Sequence, residues 1–264
     1  TETSIGELFA AGVIPGLVGI VGYSLAVRYT LYRRPDAAPD IERASRAERR
    51  ATLRKTWSVA VLFAVVLGGI YAGLFTATEA AGIGASGALV FAIIRRMPWR
   101  EFIRILVESA ETTAVLFALI IGAKIFAEFV NYSGAHRGVL SFVQDSGFSP
   151  AMVMLVICLI YILLGCLLDS LAMMLLTLPM FFPIVVGLGY DPVWFGIMVV
   201  MLVELGLITP PIGINLFILK SVVPEVPLGT IIRGILPFVL ADLGRLLLIG
   251  LVPTLALALP RLFF

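Results

Sequence analysis

The sequence predicts an all-α polytopic membrane protein, and three observations carry that expectation. Apolar residues fill 60% of the 264 positions and mean hydropathy is +1.07, against roughly 45–50% apolar residues in a soluble domain. Several apolar runs reach the ~18–20 residues a helix needs to cross a ~30 Å hydrocarbon core. None divides into the short alternating segments of a barrel. The net charge of +2 matters less than where it lies, because Lys and Arg collect in loops that stay cytoplasmic. Residue 1 is Thr, and no basic segment, short apolar core and cleavage site precede the first run as a signal peptide requires, so the chain reads as part of something longer.

The elements follow in order. Residues 1–32 hold a first spanning helix. Residues 33–56 form a basic cytoplasmic loop, since the stretch from Tyr32 to Lys55 carries eight Lys or Arg against four Asp or Glu. Residues 57–109 hold two helices joined near "GLFTATEAAG", then an arm: "MPWREFIRILVE" places Trp99, Phe102, Ile103 and Leu106 on one face and Arg100, Glu101, Arg104 and Glu108 away from it. That pattern predicts an amphipathic helix lying at the interface, with Pro98 in its first turn. Residues 110–149 supply a crossing and a glycine-rich outer connection. Residues 150–190 form an apolar region interrupted at "GCLLDS", read either as a hairpin that enters and leaves by one face or as two full crossings. The distribution of charge is compatible with both. Residues 191–223 hold a helix broken at "GLITPP", and residues 224–264 a last spanning helix.

The break is the point of chemistry. A helical hydrogen bond runs from the N–H of residue i to the carbonyl of i−4, and proline has no N–H. Pro210 therefore leaves the carbonyl of Gly206 without its donor, Pro211 that of Leu207, and Thr209 is pushed toward extended backbone. The helix is expected to open over 206–212, with Gly206 and Gly213 permitting tight geometry. An unsatisfied carbonyl in hydrocarbon costs several kcal/mol, so such a break persists where protein, water or an ion supplies partners. Carbonyl oxygens and a threonine hydroxyl are hard, neutral ligands that suit Na+; the plain alternative is a proline kink. A second interruption in the preceding apolar region favours the ion, because paired broken segments mark secondary transporters.

Four ordered motifs, "GLFTATEAAG", "LLGCLLDSLAMMLLTLPMFFPI", "GYDPVWFGI" and "ELGLITPPIGINLF", together with the opening "TSIGELFAAGVIPG", resemble the C-terminal half of the large permease subunit of TRAP transporters, the tripartite ATP-independent periplasmic uptake systems. The resemblance covers the chain apart from the basic loop. It implies one inverted repeat of an ion-transporter-type elevator fold with a re-entrant helical hairpin and a broken transmembrane helix, residues 1–32 being the last helix before that repeat. It also implies a Na+ site formed by Gly165 at the hairpin tip with Gly206, Thr209 and Ile212 in the break. Family members commonly carry proline where Ala77 stands, which bears on the sharpness of that bend. The first repeat, with its own hairpin and half of any substrate pocket, is outside these residues, so the chain alone is not expected to transport.

Other charged residues have local readings. Asp169 either steers a cation or caps the second hairpin helix; with Ser170 and, beyond the break, Asn215, it is a candidate substrate contact. Glu204 either neutralises the ion site or pairs with a scaffold residue. Asp242 and Arg245, three apart, are expected to pair, as are Lys124 and Glu128, four apart. Glu79 suits a helix start. Cys158 and Cys166 read as buried thiols, and His136 has no companion ligand and is assigned no chemistry. Nucleophile elbows, phosphate loops and HExxH are missing from the sequence, and Asp169 has no matched carboxylate to form an aspartyl protease dyad. The expectation is a non-enzymatic permease subunit in a bacterial inner membrane. It works with a small membrane subunit, a periplasmic solute-binding protein, Na+ and a carboxylate substrate such as a C4-dicarboxylate or a sialic-acid-like acid. A dicarboxylate symporter without a binding protein and a non-transporting scaffold subunit are the alternatives; nucleic acid is not an expected partner.

Overall fold

In a computed structural model the chain is helical, with no strand among the described residues, which are 1, 3–35, 45–134, 138, 141 and 147–264. His136 and most of the outer connection lie outside them, as does the middle of the basic loop. The helices are α1 (Ile5–Arg33), α2 (Arg46–Tyr71), α3 (Ala77–Ile94), α4 (Trp99–Ser133), α5 (Pro150–Gly165), α6 (Ser170–Gly187), α7 (Pro192–Ile208), α8 (Ile214–Val222), α9 (Leu228–Leu251) and the single turns α10 (Thr254–Leu257) and α11 (Pro260–Phe263). Five of them, α1, α3, α4, α6 and α9, are long and apolar enough to cross a membrane. The chain is thus an all-α polytopic membrane protein.

Two compact units form. One comprises residues 36–115, with α2, α3 and the first half of α4. The joint of α2 and α3 falls in the "GLFTATEAAG" stretch, where the Phe75 ring packs so closely on Gly69 that a Cβ there would lie 1.9 Å from Cζ. Each helix begins with a capping box: Ser45 and Glu48 exchange hydrogen bonds at the start of α2, Thr76 and Glu79 at the start of α3. The bond from the Ser45 N–H to its carboxylate, aided by the Ser45 hydroxyl, holds the Glu48 carboxyl below its ordinary range. The Arg95 guanidinium donates to the Ser58 hydroxyl at 2.9 Å, and Trp57 meets Phe91 edge-on, so the end of α3 returns to the start of the apolar part of α2.

One expectation is corrected here. The arm helix and the crossing that follows do not part near residue 109: α4 runs unbroken for 35 residues, about 52 Å at 1.5 Å per residue. The joining residues, Glu108 to Glu111, include neither glycine nor proline, and nothing local ends the helix. Arg104 bridges Glu101 at 3.4 Å and Glu108 at 3.6 Å on the exposed face. Further on, Lys124 and Glu128 stand exposed, and the pair expected between them is not formed among the described residues.

The other unit, residues 1–35 and 116–262, is built around α7. Eleven of the seventeen residues of α7 are buried, on every side of the helix, as befits a helix that is apolar all round. α5 and α6 form an antiparallel pair packed on it, with α1, α9 and α10 closing the remainder. The bond between the Tyr161 and Thr177 hydroxyls, 2.7 Å long and buried, joins α5 to α6, and Thr177 also bonds the Met173 carbonyl. The Trp194 indole N–H donates to the Ile249 carbonyl at 3.0 Å, fixing the start of α7 against α9. Glycines 19 and 22 bring α1 close to α9: a Cβ on Gly22 would sit 3.6 Å from that of Ala241.

Candidate cation site

α7 starts where Asp191 accepts hydrogen bonds from the Val193 and Trp194 N–H groups, and it stops at Ile208 because the next donors are missing. Pro210 and Pro211 contribute none, and Thr209 takes an extended conformation, with ψ 129°, as a residue before proline does. The chain resumes helix at Ile214. The break therefore covers 209–213, narrower than the expected 206–212. Thr209 is the reason. Its N–H reaches back to the Gly206 carbonyl at 3.1 Å and its hydroxyl donates to the Leu205 carbonyl at 2.5 Å. The Gly206 oxygen, expected to be freed by Pro210, is satisfied.

Two other oxygens are not. A Cβ placed on Gly213 would lie 2.9 Å from the Thr209 oxygen and 3.1 Å from the Leu207 oxygen, so both carbonyls face the space beside a residue that has no side chain. Among the described residues no hydrogen-bond donor reaches either. Gly213 has φ +47°, backbone that favours glycine. Because the Thr209 hydroxyl directs its proton at Leu205, its lone pairs stay available. Neutral oxygens converging where side chains are excluded fit a small monovalent cation. The proline rule finds the Leu207 oxygen; the ligand set implied by the resemblance omits it.

The hairpin tip comes to this place. A Cβ on Gly206 would lie 2.6 Å from the Gly165 Cα and 3.2 Å from its oxygen, so α5 and α7 touch backbone to backbone. Next to it the Cys166 thiol donates to the Pro210 carbonyl, sulfur to oxygen 3.9 Å. Of the expected cation ligands, Gly165, Gly206 and Thr209 are thus brought together, while the Ile212 side chain is exposed. Cys158 and Cys166 are free thiols.

Asp169 caps α6, accepting from the Leu171 N–H at 3.1 Å, and Ser170 begins that helix. Asn215 stands elsewhere, lining a cavity with Glu204 and Arg245 in which neither Asp169 nor Ser170 takes part. Glu204, for which both ion-site neutralisation and pairing were open, is paired: Arg245 Nη2 meets its Oε2 at 3.0 Å and Asp242 Oδ1 at 3.0 Å. The Tyr23 hydroxyl donates to the other Asp242 oxygen at 2.5 Å. The Asp242–Arg245 pair was legible from spacing. The Glu204–Arg245 pair, 41 residues apart, had no local signal.

Residues 1–255 match the model of the family described as the tripartite ATP-independent periplasmic transporter, DctM component. The chain is 38% identical over 263 residues to a C4-dicarboxylate TRAP transporter large permease protein of Pseudomonas aeruginosa, covering 99% of this chain and 61% of the relative. It is 32% identical over 265 residues to the sialic acid TRAP transporter large permease protein of Vibrio cholerae, covering 100% and 61%. With an isethionate TRAP transporter permease protein, DctMQ, of Oleidesulfovibrio alaskensis it shares 30% identity over 266 residues, covering 99% of this chain and 41% of that one. The chain spans about six tenths of the length of the first two. The motifs, the apolar helices and these matches agree: the chain is a multi-pass bacterial inner-membrane protein and belongs to the DctM family of TRAP transporter permeases.

Proposed function

We propose that the chain forms the second repeat of a permease that couples Na+ entry to import of an organic acid, delivered by a periplasmic solute-binding protein and assisted by a small membrane subunit. The observation that carries the cation is the convergence of the Leu207 and Thr209 oxygens beside Gly213, at the level of the hairpin tip. α5 has 16 residues, about 24 Å of helix, which is short of a ~30 Å core. A hairpin of that length whose tip abuts a mid-helix break is read here as re-entrant.

In this reading Gly165, Gly206, Thr209 and Ile212, with Leu207 added, hold Na+ through backbone oxygens and the Thr209 hydroxyl, the Gly206 oxygen by the lone pair that the Thr209 N–H leaves free. The chain's own part in the mechanism is to keep those oxygens fixed and dry. The Gly165–Gly206 contact seals the tip against α7, and the tip then forms one wall of a pocket that the first repeat completes. Ser170 offers a hydroxyl to a carboxylate, Asn215 an amide, and Asp169 holds the start of α6 in place. The loaded body then moves as a unit across the membrane, the elevator motion. Carboxylates are the proposed substrate class because relatives are named for C4-dicarboxylates and sialic acid.

The experiment is uptake of a labelled C4-dicarboxylate by cells making the permease with its small subunit and binding protein. Replacing Na+ with K+ is expected to abolish it, and Thr209→Val to raise the Na+ concentration required. Uptake that persists in K+ would end the sodium reading. Uptake that persists without the binding protein would favour a stand-alone symporter.

A further inference from the structure

We propose that the cavity between α1, α7, α8 and α9 is the vestibule by which a monovalent cation reaches the oxygens of the break, and that Glu204 supplies its negative charge. This rests on the cation reading above and adds a route and a residue to it.

The cavity has a volume of ≈ 340 Å³, room for several waters, and its lining includes Gly16, Gly19, Glu204, Leu207, Asn215 and Arg245. Leu207 belongs both to this lining and to the pair of converging carbonyls, so the cavity reaches a residue whose oxygen faces the break. Glu204 is the one charged side chain on α7, and it is 56% exposed although it lies one turn before the break. It lines the cavity, unlike Asp242, which is 2% exposed. The Asn215 amide adds a neutral oxygen.

The charges leave a deficit. Two carboxylates, Glu204 and Asp242, share one guanidinium nitrogen of Arg245, and Tyr23, from α1, contributes a neutral hydroxyl. Asn215 is the α8 residue in the lining and is uncharged. The group carries net −1 within an apolar bundle, where an uncompensated charge is costly. Arg245 Nη2 donates to Glu204 Oε2 and meets Asp242 Oδ1 as an ion pair, while Asp242 Oδ1 and Arg245 Nε have no hydrogen-bond partner among the described residues. One guanidinium nitrogen thus answers two carboxylates, and Glu204, held by Arg245 through Oε2 alone, lines the cavity with charge to spare for a cation. A carboxylate at the mouth of a low-dielectric cleft concentrates cations there.

The test is binding of radioactive Na+ to the full-length permease in nanodiscs, by equilibrium and by stopped flow. Glu204 precedes Leu207 and Thr209 by three to five residues, about 5–8 Å along the helix; at ~8 Å and an effective dielectric constant of ~30, one charge is worth about tenfold in affinity. Glu204→Gln is expected to weaken binding by about that factor. Glu204→Gln with Arg245→Gln restores net −1 and is expected to recover affinity to within about threefold of wild type. Equal losses in both would mark the pair as structural and overturn the charge role. Gly16→Phe probes the route: a Cβ there meets nothing within 4 Å, so the ring can enter the cavity. It is expected to slow association and dissociation alike with the Kd unchanged. Unchanged rates would overturn the vestibule while leaving the cation site standing, whereas Na+ binding that Gly213→Ala leaves untouched would end both.

Discussion

Gly206→Ala is the sharpest test of how the hairpin is held. The new methyl would lie 2.6 Å from the Gly165 Cα and 2.8 Å from its carbonyl carbon, whereas carbon atoms in contact sit about 3.5–4.0 Å apart. The neighbours are backbone, so neither can rotate away, and α5 and α7 must separate by about 1 Å. Overpacking of this kind costs about 1–3 kcal/mol, and the better helix propensity of alanine returns up to ~1 kcal/mol. A net loss of about 1–2 kcal/mol corresponds to roughly 2–8 °C in Tm for a chain of this size. The assay is thermal unfolding in detergent followed by tryptophan fluorescence, with Gly206→Val as the larger step and Gly122→Ala as the control, since a Cβ on Gly122 meets nothing within 4 Å. A Gly206→Ala protein as stable as the control, or a valine no worse than alanine, would refute backbone contact as what seats the tip.

Other outcomes follow from the same geometry. Gly213→Ala places a methyl against the Leu207 and Thr209 oxygens in backbone with φ +47°; it is expected to cost about 1–2 kcal/mol from strain and to abolish the Na+-induced rise in Tm, read in the same melts. Trp194→Phe removes the donor to the Ile249 carbonyl and is expected to destabilise by about 1–3 kcal/mol, since that buried oxygen loses its partner. Asp242→Ala leaves the Tyr23 hydroxyl unpaired and Arg245 with one carboxylate; breaking such a buried group costs about 3–5 kcal/mol, seen as lost expression of folded protein. The capping box at Ser45 is pH-dependent. Its carboxyl is depressed in the folded chain, so the stabilisation is complete above the unfolded carboxyl's pKa and fades as pH falls through the folded value. Hydrogen exchange in the first turn of α2, corrected for its intrinsic pH dependence, should rise in acid for wild type and start high, without a pH step, in Glu48→Ala.

Much of the fold was legible because its signals are local. Length and apolarity mark the spanning helices, and the proline pair marks the break to within three residues. The error at its near edge came from Thr209: the missing proline donors are visible in sequence, but a residue whose hydroxyl and N–H turn back to close two carbonyls depends on the geometry of the turn itself. The unbroken α4 was missed for a different reason. Amphipathic and apolar segments differ in surroundings, and a change in surroundings does not require a change in backbone. Lys124 and Glu128 have the spacing of a pair, but holding two long side chains in one geometry costs entropy that spacing alone does not offset. At the site, Gly165 and Gly206 drew notice by resemblance to ligand positions. That they touch each other is a long-range fact, as is the reach of Arg245 to Glu204.

The capping boxes at Ser45 and Thr76 are each written within four consecutive residues. Neither needs a neighbouring helix to form it. The starting points of α2 and α3 are therefore set as soon as those few residues leave the ribosome, before α7 or its hairpin has been synthesised. The boundary between the charged stretch and the apolar helices that follow it is thus drawn locally.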